Sequence, residues 1–167
     1  TLFTIASTLA LAETKIVYLD MKYILNNSKA GKNAQIYLKK TFEESQKKAI
    51  ETEKKLKKEE SDLLSKKEVL DQAEYKKNID ALRKKVNEFQ KERRVSIEKV
   101  GRLRAQAKQK LLKGIDPILR KYVEDNSISV VIDKKNVVTA DDTLDITNLI
   151  IEKLNKSLPT LDLKYLM

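Results

Sequence analysis

The residue types that carry most enzyme chemistry are absent from this sequence or scattered along it. There is no cysteine and no histidine, so thiol chemistry, disulfides, zinc sites built from these residues and histidine bases are excluded. Carboxylates are plentiful, but none is spaced to meet a convergent partner, and Asp141 and Asp142 are typical of a turn and a helix cap. No glycine-rich phosphate loop occurs. We therefore expect no enzyme activity, cofactor or metal.

The chemistry that remains is electrostatic. Between residues 32 and 125 we count 27 basic and 17 acidic residues, whereas the rest of the chain holds 8 of each, so this segment carries the whole net charge of +10. Solvated helix faces would explain any single lysine, but an even balance would serve solubility equally well. The excess therefore indicates an anionic partner. The candidate partner-facing residues are Lys84, Lys85, Lys91, Arg93 and Arg94.

Residues 32–125 must position these charges, and they predict a long antiparallel helical hairpin. The segment is rich in good helix formers and has no proline before Pro117. Apolar residues recur every seven positions on both sides of residues 71–74, where the chain would fold back. A single unbroken helix is the alternative, but it would make the matched series a coincidence. The predicted seam pairs are Phe42 with Leu103, Leu56 with Phe89, and Leu63 with Leu82.

This seam is thin. The first arm offers one apolar position per heptad, where a tight coiled coil offers two. Ala49 opposite Ser96 is its weakest layer, because little apolar area is buried there and stability follows that area. We expect the hairpin to open most easily at this level.

The flanking residues 13–31 and 126–158 predict a small α/β body. Three short apolar runs, at residues 16–19, 128–132 and 137–138, are expected to form strands, and Asp20 and Asp145 to cap two short helices. Three such strands leave edges and faces uncovered, so we expect several subunits to share one core. The residues assigned to that shared core are Ile16, Val17, Leu19, Val130, Val131, Ile132 and Val137.

The two ends of the chain carry separate signals. Residues 1–12 are apolar and end in Ala10-Leu11-Ala12, the small-x-small pattern of a signal peptidase site, which predicts the remnant of a secretory signal peptide and export. A buried strand or helix is the alternative there. Residues 159–167 form a tail after Pro159, for which a disordered end is favoured over packing on the body.

Two segments of the sequence resemble one protein family. KIVYLDMKYIL…SKAGKNAQIYL, in residues 15–38, and SISVVIDKKNVVTADDTLDITNLIIEKL, residues 127–154, are similar to the opening and closing segments of the Skp/OmpH family, the periplasmic chaperones of outer-membrane proteins. The most specific pieces are the pattern in which a strand is followed by Asp133, three residues and a second strand that begins at Val137, and the Asp145-Ile146-Thr147 start of the last helix. The helical middle matches in length and character only.

The resemblance implies an α+β, mostly α fold, in which a long coiled-coil hairpin extends from a three-stranded β body that trimerises. It also implies an ATP-independent holdase that keeps unfolded outer-membrane β-barrel proteins in a basic cavity between the hairpins, in the periplasm. Some family members have an Arg/Lys cluster proposed to bind lipopolysaccharide. Lys91, Arg93 and Arg94 lie in the corresponding region, but their spacing does not align, so that site is not transferred. An anionic lipid or lipopolysaccharide surface stays a further candidate partner.

Two other kinds of binding protein compete with this interpretation. A structural coiled-coil subunit of an envelope complex is the leading alternative, and it would require one fixed partner. A nucleic-acid-binding coiled coil is disfavoured, because the basic residues are interleaved with acids and form no block of five or more. We expect no nucleic-acid partner.

Overall fold

A computed structural model describes residues 14–164, which two long helices dominate. The predicted mostly helical fold with a small β element is confirmed. The predicted signal peptide lies outside the described residues. The elements in chain order are β1 (Ile16–Leu19), α1 (Met21–Asn27), α2 (Lys29–Ser65), α3 (Gln72–Asp125), β2 (Val130–Asp133) and α4 (Thr147–Ser157), with 3-10 turns at Lys134–Asn136 and Asp142–Leu144.

These residues form two compact units. The body unit comprises residues 14–28 and Leu112–Pro159, and the arm unit comprises Lys29–Leu111 and residues 160–164. The end of α3 thus belongs to the body unit, although the sequence assigned it to the hairpin.

A pair of parallel strands organises the body unit. β1 lies beside β2 with Ile16 opposite Val130 and Leu19 opposite Asp133. Both strands consist largely of β-branched and aliphatic residues, which suit a pleated, half-buried surface. The body core contains Val17, Leu19, Ile24, Ile115, Ile128, Ile146, Ile150 and Leu154.

The predicted third strand at residues 137–138 is wrong for the described chain. The Asp133 carboxylate accepts a hydrogen bond from the Lys135 backbone N–H at 3.2 Å, and a 3-10 turn follows β2 directly. Such a local bond offers the backbone an alternative to strand pairing. Val137 ends this turn and Val138 is fully exposed. The described sheet therefore has two strands.

The other side of β1 is held by the segment that begins α4. The Ile146 N–H donates to the Tyr18 carbonyl at 2.9 Å, and the Asp20 N–H donates to the Thr147 hydroxyl oxygen at 2.8 Å. Asp20 caps α1 as predicted, because its carboxylate accepts the Tyr23 N–H at 2.7 Å. These bonds join the two ends of the body in space across 127 positions of sequence.

In the arm unit, α2 and α3 lie side by side and antiparallel. Glu59 meets Lys85 near the tip, with the carboxylate oxygen 2.7 Å from the ammonium nitrogen. Closer to the base, the hydroxyls of Ser45 and Ser96 share a hydrogen bond. As the residue number decreases along α2, the number of its partner on α3 increases, as in an antiparallel hairpin.

The tip lies earlier than the sequence suggested. α2 ends at Ser65 and α3 already begins at Gln72, so the chain turns over residues 66–71 and not over 71–74. The Asp71 carboxylate accepts the Ala73 N–H at 3.2 Å. A carboxylate at a helix start satisfies a donor that the helix itself leaves unpaired.

The seam changes register between the tip and the base. Leu63 and Leu82 line one groove, as their predicted pairing requires. Leu103, however, packs with Leu38, and its predicted partner Phe42 is 44% exposed. In a straight helix, residues spaced by seven rotate by about 20° around the helix axis with each heptad. One series of residues spaced by seven therefore cannot stay at the seam along the whole arm.

The residues after Pro159 pack on the arm unit, so the expected disordered end is wrong for residues 160–164. Leu163 is only 2% exposed and belongs to a small apolar cluster at the hairpin base. The remaining tail residues, 165–167, lie outside the described residues. The cluster contains Ala34, Leu38, Leu103, Ala107 and Leu163, with Tyr37, Val100 and Leu161 against it.

We predict that amide hydrogen exchange is faster around Ala49 and Ser96 than around Leu56 and Phe89. Ala49 and Ser96 are small and half-buried and line a cavity of about 450 Å³, whereas Phe89 is a large side chain that is only 8% exposed. Fewer apolar contacts therefore resist opening at the Ala49–Ser96 layer. Exchange followed by mass spectrometry or NMR measures this difference. Ala49→Leu, which adds apolar volume to the cavity, should slow local exchange, whereas Glu51→Leu on an exposed position should not. Equal exchange at the two layers would contradict the thin-seam interpretation.

Candidate functional site

The five candidate basic residues all lie exposed on α3, but they do not form one patch. With 3.6 residues per turn, Lys84 and Lys91 share one helix face, while Arg93 projects from the opposite face. Lys85 and Arg94 project in two further directions. The structure therefore spreads positive charge around the arm.

Lys85 is already paired. Its ammonium lies 2.7 Å from a carboxylate oxygen of Glu59 on the facing arm, and both side chains are about half exposed. An ion pair this accessible contributes between zero and about 1 kcal/mol. Lys85 therefore contributes to the contact between the arms, a role that its position in the sequence did not reveal.

Arg93, like Lys85, lies at the seam, but it differs from the other four because it lines two separate hollows there. It lines both the cavity of about 450 Å³ near Ser96 and a larger groove of about 620 Å³ toward the tip. The hydrogen bond and charge of Lys57 lower the pKa of Glu53, and the charge of Arg93 acts in the same direction. Arg93 thus places a cation beside both hollow parts of the seam.

Six apolar and seven polar or charged residues line the larger groove. Ile79 and Val86 belong to a second series of α3 residues, spaced by seven, that runs beside the main seam. Leu64 adjoins the predicted seam residue Leu63. Sequence reasoning did not assign these three residues to a site, although the second series was a signal for two of them. The groove lining is Leu56, Leu64, Ile79, Leu82, Val86 and Phe89 with Glu53, Lys57, Glu60, Arg83, Asn87, Gln90 and Arg93.

The carboxylates of the body unit serve local structure. Asp141 accepts hydrogen bonds from the N–H and hydroxyl of Thr143 at 2.8 and 2.7 Å, and these bonds lower its pKa. Asp145 accepts the Thr147 N–H at 2.9 Å and pairs with the Lys134 ammonium at 3.1 Å. In residues 14–164 no acidic cluster could hold a metal ion, and every buried side-chain nitrogen or oxygen has a hydrogen-bond partner.

The Asp-Ile-Thr segment acts as a connector inside the body. Asp145 orients the first turn of α4, Ile146 bonds to β1, and Thr147 accepts the N–H of Asp20. The Lys134 ammonium that pairs with Asp145 also lies 5.7 Å from the centroid of the Tyr18 ring. One of the two most specific pieces of the sequence thus joins the two sequence segments that make up the body unit.

None of the helices in residues 14–164 is long and apolar enough to cross a membrane.

This architecture defines a class of protein in which a long, charged helical hairpin is combined with a small α/β unit. Residues 15–154 match the family model described as "Outer membrane protein (OmpH-like)", so the chain belongs to the OmpH-like family. Among curated proteins no sequence matches this chain. A crystal structure from Caulobacter crescentus CB15, described as a candidate outer membrane chaperone (OmpH-like), has a TM-score of 0.84. It is 19% identical in sequence, over 96% of this chain and 95% of that chain, and at this identity it shows the fold.

We predict that the body unit loses stability in acid through Asp145. Partial burial raises the pKa of this carboxyl, but the hydrogen bonds from Thr147 and the charge of Lys134 outweigh burial, and the net pKa lies below its ordinary value. The stabilisation is therefore complete above the unfolded-state pKa of about 3.9 and is lost as the pH falls through the folded-state pKa.

Denaturant unfolding between neutral pH and about pH 3 measures this effect. Asp145→Asn should lose on the order of 1 kcal/mol at neutral pH and show a weaker pH dependence. Glu152→Gln, which removes one charge from an exposed position of α4, is the control. An Asp145→Asn variant with the pH dependence of the parent would show that this carboxyl is not the cause.

Proposed function

We propose that this protein is an ATP-independent holdase chaperone that binds unfolded outer-membrane β-barrel proteins in the periplasm and has no enzymatic activity. Membership of the OmpH-like family and the description of the Caulobacter crescentus structure support the class of function. The observation that carries the proposal is the hollow seam. Two long basic arms leave a groove of about 620 Å³ accessible between them, lined by both apolar and charged side chains.

The chemistry of the groove suits an unfolded membrane β-barrel protein. Such a client exposes many short segments in which apolar residues alternate with polar ones. The exposed side chains of Leu64 and Val86 offer apolar contact, and the stems of Lys57, Arg83 and Arg93 extend it while their charged ends stay in water. Many weak contacts of this kind add up when one client meets several arms.

Assembly of the body into a homotrimer would place several arms around one client. A two-stranded sheet is marginal on its own. In this chain Ile16 and Val130, which face each other across the sheet, are each more than 40% exposed, and Val138 is fully exposed. These apolar side chains support a core shared with further copies, and the resemblance to the Skp/OmpH family supports the number three.

The positive charge of the arms would attract clients before contact. Lys84, Lys91 and Arg94 are exposed, and the structure assigns them no ion pair. Attraction of this kind raises association rates and is screened beyond about 8 Å at physiological salt. The same cations would also meet an anionic lipid or lipopolysaccharide surface.

We predict that client capture slows several-fold or more as salt rises, while the assembled protein stays intact. Stopped-flow fluorescence of a labelled, unfolded β-barrel protein measures the capture rate, and light scattering checks the assembly. The triple variant Lys84→Gln, Lys91→Gln and Arg94→Gln should capture more slowly and depend less on salt. A control with the same charge change in the body is Lys22→Gln, Lys153→Gln and Lys156→Gln.

Two results would count against this account. Capture rates that stay flat from low to high salt, or a control triple variant as slow as the arm variant, would remove the role of the arm charges. Failure to bind the unfolded client at any salt concentration would remove the holdase function itself.

A further inference from the structure

The C-terminal segment fills a gap between the two arms at the hairpin base. Ala34 on α2 and Ala107 on α3 are both buried, and side chains this small leave space between the helices. Leu163 enters the cluster that they form with Leu38 and Leu103. The base of the seam is therefore completed by a residue that belongs to neither arm.

Burial alternates along this segment. Leu161 is half-buried, Asp162 is exposed, Leu163 is buried and Lys164 is exposed. The residues from 160 to 163 have no regular secondary structure. The sequence carries this pattern on to Tyr165, after which Leu166 and Met167 are both apolar; these three residues lie outside the described residues. The same period-two pattern is the sequence signature of a strand from a transmembrane β-barrel.

We propose that the hairpin base is a binding site for a segment with alternating apolar residues, and that the C-terminal segment occupies it as an internal substitute for the client. The site is the cluster around Ala34, Leu38, Leu103 and Ala107. The contacts of Leu161 and Leu163 support a site that accepts a segment with alternating apolar residues. The identity of the competing ligand, a segment of an unfolded β-barrel protein, rests on the function proposed above.

Competition between the tail and a client would make the site selective for long clients. A tethered segment acts at an effective concentration in the millimolar range, so even a weak tail keeps the site mostly occupied. The apparent dissociation constant of a competing segment equals its intrinsic value divided by the fraction of open sites, so it rises as the tail occupies more of them. A client that presents several segments to several arms can displace the tail, whereas a single short peptide cannot.

The test uses the full chain with the tail displaced. Leu163→Asp places a charge in the apolar cluster and should release the tail, whereas Lys164→Gln changes the net charge equally at an exposed position. A fluorescent peptide of residues 159–167 is titrated with each protein, and anisotropy reports binding. We expect Leu163→Asp to bind the peptide at least tenfold more tightly than the parent or Lys164→Gln, and to bind an unfolded β-barrel client several-fold more tightly.

A chain that ends at Pro159 provides a second variant with no added charge, and the same gain is expected of it. If neither variant binds the peptide better than the parent does, the proposal is overturned. The peptide measurement involves no client. Peptide binding without client binding would therefore support this site and contradict the holdase function. Client binding without peptide binding would support the holdase function and contradict this site.

Discussion

The small amount of apolar surface shared by α2 and α3 is the constraint on which the rest of the molecule depends. Buried residues such as Phe89 and Leu103 hold the arms together at separate levels, and cavities of about 450 and 620 Å³ lie along the seam. Stability follows buried apolar area, so we expect arms packed in this way to open locally at a small cost in free energy. The same hollow packing leaves apolar side chains accessible beside basic ones.

The body meets the opposite requirement, because it must hold together two segments that are distant in sequence with few residues. The parallel strand pair, the cap at Asp20 and the contacts of Asp145, Ile146 and Thr147 satisfy its backbone groups locally. Its apolar core is nevertheless small, and exposed Ile16 and Val130 lie on its sheet. The proposed function needs both features, a body with uncovered apolar side chains and arms with an incompletely packed seam.

Much of this fold could be predicted from the sequence, because the deciding signals are local. Helix-forming residues without breakers predicted both arms, and short apolar runs predicted β1 and β2. The position of the tip, the third strand at residues 137–138 and the disorder of residues 160–164 were predicted wrongly, and each error has a physical reason. Asp71 and Asp133 accept backbone hydrogen bonds that redirect the chain, and the burial of Leu163 depends on the space left by two distant alanines.

The candidate site was less predictable, since side-chain direction on a long helix depends on the seam register. The sequence could not show that Lys85 pairs with Glu59. Arg93 shares the seven-residue spacing of Ile79 and Val86, which predicted its place beside the seam but not the hollows that it lines. The most direct test of the central claim is the mass in solution of the protein from Glu13 onward, by light scattering, alone and with an unfolded β-barrel client. We predict the mass of three subunits alone and of three subunits with one client after mixing; a well-folded single subunit whose mass the client leaves unchanged would contradict the account.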